Sequence, residues 1–156
     1  MVSAVKIGSG DFTYEVQVGW EQMPAGYTWR EAVAVAVDSK DRVYVFSRRD
    51  EPNVTVFASD GSYVDSWGEG VFTGAHGLTF GPDDTIYCAD NAGHTVRKCT
   101  LDGKVLMTLG EPDKPAPAFS GDPFNACTHV ALAPDTGDIY VADGYSNARV
   151  HKYSPD

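Results

Sequence analysis

The sequence predicts an all-β chain built from repeated four-stranded antiparallel units, the blades of a β-propeller, and three observations lead there. Short apolar runs rich in Val, Tyr and Phe alternate with clusters of Gly, Pro, Asp and Asn along the whole chain. No stretch carries apolar residues at helical spacing. A strand–turn–strand pattern recurs after about 43 and then about 53 residues.

The recurring pattern is plain when three segments are compared: AVAVAVDSKDRVYVFSRRD (32–50), HGLTFGPDDTIYCADN (76–91) and HVALAPDTGDIYVADG (129–144). In each, a first strand of small and apolar residues reaches an Asp-rich turn, and a second strand carries a Val/Ile-Tyr-Val/Cys run before a polar end. Two more strands follow in the first unit (NVTVFAS, SYVDSWGE) and in the second (TVRKCTL, KVLMTLGE), whereas RVHKYSPD follows alone in the third. Asp60-Gly61 and Asp102-Gly103 join the outer pairs as hairpin turns. A strand quartet repeating as a fixed unit fits a propeller blade and not a sandwich.

With strands lettered a to d outward from the channel, the predicted blades are 31–69, 75–111 and 128–156, the last without a d strand. The segment 12–24 ends in the same apolar-Gly-acidic pattern as the two d strands and is read as an orphan d strand, giving the order d-abcd-abcd-abc. Propellers close with about four to eight blades, so three are expected to form half of a six-bladed ring. A twofold homodimer would complete it, strand Phe12 to Trp20 of each copy finishing the blade that Arg149 to Pro155 ends in the other. Glu111 to Asn125 is rich in Pro and Gly, has no strand pattern, and is read as a long rim or lid loop.

A formal net charge of −10 argues against nucleic acid and anionic membrane surfaces as partners. No signal peptide or long apolar span is apparent, so a cytoplasmic location is the expectation, with secretion left open. Cys88, Cys99 and Cys127 lack CxxC spacing and read as small core residues.

In an up-and-down blade the start of strand a and the end of strand b share one face. His76 and His129, Arg48, Arg49 and Asp50, Asp90 and Asn91, and Asp143, Gly144 and Tyr145 therefore converge on one rim near the channel mouth. Asp90 and Asp143 are most simply turn formers that cap the b–c loops, and His94 a solvated loop residue. His76 and His129 stand at equivalent places in adjacent blades facing the axis, where imidazoles can meet a metal ion, although two are one short of an ordinary catalytic zinc set.

The runs DGYSNARVHKYSPD (143–156), AHGLTFGPDD (75–84) and VAVDSKDRVYVFSR (35–48) resemble the NHL-repeat family and, within it, the peptidyl-α-hydroxyglycine α-amidating lyases. The resemblance implies a six-bladed propeller with zinc on three channel histidines and calcium deeper in the channel. It implies His76 as a zinc ligand, the carbonyls of Val35 and Leu78 as calcium ligands, Tyr145 as the catalytic tyrosine and Arg48 as the arginine near the substrate carboxylate. His129 stands where the lyases have another residue, and Ser146 replaces their cysteine after the tyrosine. The other class of function compatible with these residues is a non-catalytic scaffold that binds a protein or small ligand on its rim.

Overall fold

A computed structural model describes residues 5–48 and 52–155. Its first two strands, β1 (Val5–Ser9) and β2 (Phe12–Val16), form a separate hairpin. Next come β3 (Glu31–Val37), β4 (Val43–Arg48), β5 (Val54–Phe57) and β6 (Tyr63–Trp67), one antiparallel sheet in chain order. A second sheet of the same order holds β7 (Ala75–Phe80), β8 (Ile86–Asp90), β9 (Thr95–Cys99) and β10 (Val105–Leu109). The third has three strands, β11 (His129–Leu132), β12 (Ile139–Asp143) and β13 (Arg149–Tyr153). The described residues contain no helix, and the all-β, propeller-blade class expected from the sequence is the class observed.

Period-2 alternation sets the stacking of the sheets. Tyr44, Phe46, Val54 and Val56 from the first sheet meet Leu78, Ile86, Cys88 and Cys99 of the second in one core cluster. The intervening residues of the second sheet, Tyr87, Ala89 and Val96, point the other way and meet Val130, Ile139 and Val141 of the third. Strand β8 is thus buried at every position, while β12 alternates buried and half-buried. Each fully buried Val, Ile or Phe contributes about 1.5–3 kcal/mol of transfer free energy, so the two inter-sheet layers hold the stack together. Strands β3, β7 and β11 are the edges of their sheets and lie side by side, β7 between the other two. Inner strands gathered in this way are the geometry of blades around an axis.

The segment 12–24 differs in detail from the sequence reading. Phe12–Val16 is a strand, but its partner is Val5–Ser9, which had given no strand signal of its own. Residues 17–30 then run as a strap over the outer part of the first sheet. Trp20 and Trp29 pack on Phe57 at 5.7 and 5.8 Å between ring centroids, and Gln22 bridges to Ser62. Gly61, at φ +85°, lets the strap pass: a Cβ there would sit 1.9 Å from the Trp20 carbonyl oxygen.

Candidate functional site

The start of β7 is flanked by the other two sheets, and all three contribute side chains there. On one side Arg48, closing β4, donates from Nε to the Ala75 carbonyl (3.1 Å) and from Nη1 to Glu31 Oε2 (2.7 Å). On the other, His76 Nδ1 lies 2.9 Å from the Thr128 carbonyl oxygen, and His76 Nε2 lies 3.2 Å from the Tyr145 hydroxyl. The rings of His76 and Tyr145 meet edge to face at 5.6 Å.

These contacts fix the tautomer of His76. A carbonyl oxygen only accepts, so Nδ1 carries the proton and Nε2 presents its lone pair to the rim. The Tyr145 hydroxyl therefore donates to Nε2. Tyr145 is 66% exposed, and so its phenol oxygen is accessible to a ligand at the rim.

Gly77 explains why these groups can approach. A Cβ there would lie 2.3 Å from the Thr128 carbonyl oxygen and 2.9 Å from His129 Nδ1. Only glycine allows β7 and β11 to come this close, and the closeness brings Thr128 within reach of His76. His129 is exposed beside Gly77, paired in register with Ala142. Val35 and Leu78 occupy the edge strands β3 and β7, paired with Val45 and Cys88. Arg49 and Asp50 lie outside the described residues.

The two b-strand aspartates are buried clamps. Asp90 accepts from the backbone N–H groups of Thr73 (2.8 Å), Gly74 (2.7 Å) and Gly93 (2.8 Å), and pairs with Arg97. Asp143 accepts from Asn125 N–H (3.0 Å) and Asn147 Nδ2 (2.7 Å). Each ties a b–c loop to the connection that enters its blade, so their buried carboxylates are taken up by backbone N–H groups and neighbouring side chains and do not open onto the rim. His94 is no solvated loop residue: it is half-buried, and its Nδ1 accepts from Ala126 N–H at 3.1 Å.

The loop 111–125 docks on the same b–c loop that carries Tyr145. Phe119 N–H donates to the Ser146 carbonyl (3.1 Å), Gly121 N–H to Asn147 Oδ1 (3.2 Å), and Arg149 to the Phe119 carbonyl (3.0 Å). Phe124 is buried against His151 and Tyr153, while Phe119 is 67% exposed at the rim. Sequence reasoning did not single out Glu31 or Thr128. Thr128 acts through its carbonyl, which no side-chain pattern reveals.

Among the described residues no group of three His, Cys, Asp or Glu side chains stands together as a metal site. His76 offers one imidazole lone pair of the right tautomer, which fits a single zinc ligand and not a complete set. Among the described residues no helix is long and apolar enough to cross a membrane.

The arrangement is that of stacked propeller blades with a polar rim fed by three sheets. No family model matches the chain. It is 45% identical over 91 residues to peptidyl-alpha-hydroxyglycine alpha-amidating lyase 1 of Drosophila melanogaster, covering 56% of this chain and 16% of that protein. Over 154 residues it is 32% identical to NHL repeat-containing protein 3 of Homo sapiens, covering 92% of this chain and 44% of that one. The chain thus spans less than half the length of these relatives. Among solved structures it overlays on virginiamycin B lyase from Staphylococcus aureus with a TM-score of 0.53 at 16% identity, over 79% of this chain and 41% of the other. With a protein of unknown function from Bacteroides caccae the TM-score is 0.59 at 12% identity, over 78% and 44% of the two chains. At these identities the structural likeness shows the fold alone. The chain is a stretch of NHL-type β-propeller, similar in sequence to the amidating lyases.

Proposed function

We propose that the rim around His76, Tyr145 and Arg48 is part of a lyase site that releases an α-keto or aldehyde acid from a carboxylate-bearing hydroxylated substrate, of which a peptidyl-α-hydroxyglycine is the model. The observation that carries this reading is the 3.2 Å contact from the Tyr145 hydroxyl to a His76 ring whose tautomer Thr128 dictates. As the substrate hydroxyl gives its proton to the Tyr145 oxygen, the phenol proton passes to His76 Nε2. The resulting imidazolium keeps its Nδ1–H on the Thr128 carbonyl. The substrate C–N bond breaks as its C–O bond becomes a carbonyl, and the departing nitrogen takes up the proton that the imidazolium returns through the Tyr145 hydroxyl, so His76 and Tyr145 end as they began. Arg48, already oriented by Glu31 and the Ala75 carbonyl, offers its remaining N–H groups to the carboxylate.

His76 Nε2 holds either that proton or a metal: a zinc ion bound there, together with donors from outside this chain's described residues, would take the lone pair in place of the phenol proton and polarise the substrate hydroxyl, as an alternative to the relay above. His129 and the carbonyls of Val35 and Leu78 are the further candidates for zinc or calcium contact, and no step above depends on them. The test is glyoxylate release from a peptidyl-α-hydroxyglycine. Release by the parent chain and its loss in Tyr145→Phe is the expected pair of results; equal release from both would overturn the role of Tyr145. Silence in both, with retained ligand binding at the rim, would favour the non-catalytic scaffold.

A further inference from the structure

Phe119 is held in a conformation that its own side chain disfavours. Its φ is +58°, in the left-handed region that glycine adopts freely and that a bulky residue enters only where its surroundings force it. The force comes from the loop that carries Tyr145: the Phe119 N–H donates to the Ser146 carbonyl, and the Phe119 carbonyl accepts from Arg149 Nη2. Asn147, only 1% exposed, holds the next turn of the segment by accepting from Gly121 N–H (3.2 Å) and donating to the Asp122 carbonyl (2.8 Å). At the base Phe124 is fully buried, and Asn125 Nδ2 donates to the Ala116 carbonyl at 2.7 Å. The backbone of Phe119 is thus pinned through both its polar groups, yet its ring stays largely in solvent and adds little to the core. An aromatic side chain kept exposed at a strained position points to a contact made outside the fold.

The place of Phe119 along the radius of the blade says what that contact is. His76 lies on the inner strand β7, and Arg149 opens β13, the strand of the third sheet farthest from β11. Tyr145 therefore touches His76 on its axial side, and the residue after it is bonded to Phe119 on its outer side. We propose that Phe119 is a specificity-determining residue of the rim: the side chain preceding the reacting residue of the substrate rests on its ring, which selects an apolar or aromatic side chain in that place. This rests on the reading of the rim as a site for a peptidyl-α-hydroxyglycine. With the carboxylate at Arg48 and the hydroxyl at Tyr145, the peptide joined through the substrate nitrogen runs away from Arg48 and outward over the third blade. The preceding Cα lies about 3.8 Å further along the substrate chain, which carries its side chain over Phe119.

Acetyl-Phe-Gly and acetyl-Gly-Gly lack the reacting hydroxyl and so report binding alone. By titration calorimetry the parent chain should bind the first about tenfold more tightly than the second. Phe119→Gly should abolish that preference and leave the binding of acetyl-Gly-Gly unchanged, without lowering the urea midpoint, because glycine accepts this φ without strain. Phe119→Leu should keep the preference. With the corresponding hydroxyglycine substrates the difference should appear in KM and not in kcat. No measurable binding of acetyl-Phe-Gly, a preference that survives in Phe119→Gly, or a glycine variant that loses stability together with the binding of both peptides would overturn the proposal. If no substrate releases glyoxylate while the binding preference and its loss in Phe119→Gly hold, the lyase reading falls and Phe119 remains the selective surface of a peptide-binding rim.

Discussion

His151 Nε2 donates to Asp143 Oδ2 across 3.1 Å, at the place in the third blade where the second sets Arg97 against Asp90. The register confirms the equivalence: Val141 pairs with His151 as Cys88 pairs with Arg97. The clamp is thus a repeated device, a buried b-strand carboxylate that gathers loop amides and is held by a cationic or proton-donating residue of strand c.

Removing that carboxylate should be costly. Asp143→Ala would strand Asn125 N–H, Asn147 and His151 without their acceptor. The expected loss is about 2–4 kcal/mol in urea unfolding. His151→Arg, which copies the second blade, should stay within about 1 kcal/mol of the parent.

Gly77→Ala should act on both stability and the site. Its Cβ would meet the Thr128 carbonyl, so β7 and β11 must separate, at a cost of about 1–3 kcal/mol. The same separation breaks the Nδ1–H contact of His76. The ¹⁵N shifts of its imidazole should then move from one Nδ1–H tautomer towards a mixture, a change that general destabilisation would not produce.

Asp83 gives a signed acid dependence. Hydrogen bonding from the Thr85 hydroxyl, opposed by partial burial and supported by Lys98, holds its carboxyl down at about 2 against an ordinary 3.8. A depressed carboxylate stabilises the fold above its unfolded value and loses that contribution as pH falls from about 4 to about 2. The group is half-exposed, so the contribution is small. Asp83→Asn should flatten the acid limb of the stability curve in that window and leave its neutral plateau nearly unchanged.

The thiols should be silent in the folded chain. Burial pushes Cys127 up to about 12 and raises Cys88 as well; the hydrogen bond with Cys88 lowers Cys99, but all three cysteines are free and buried, so a reagent cannot reach them in the folded chain. Alkylation at pH 8 is expected to follow global unfolding; rapid labelling of a folded sample would contradict this.

The blades were legible because their strands alternate with period 2 and their hairpins carry Asp-Gly turns, signals that depend on local sequence alone. The shared rim of Arg48, His76 and Tyr145 was legible from strand direction. What escaped were the relations that need neighbouring sheets in place. The Thr128 carbonyl becomes a partner of His76 only because Gly77 lets two blades touch, and His94 becomes an acceptor only because Ala126 of another blade's entry loop faces it. Strand β1 was missed for a different reason: its apolar residues find no core, and only the Ser9-to-Phe12 turn, with Gly10 at φ +58°, pairs them with β2.

The burial of both faces of the second sheet fixes an order of unfolding. Each outer blade can be lost at the price of one interface, whereas the middle one cannot melt without exposing two apolar layers at once. In the nearest-neighbour scheme that governs repeat proteins, the chain then comes apart from its ends inwards. Partially unfolded forms should keep the second blade and either neighbour as a pair, and a pair is the smallest piece of this sequence expected to hold its shape.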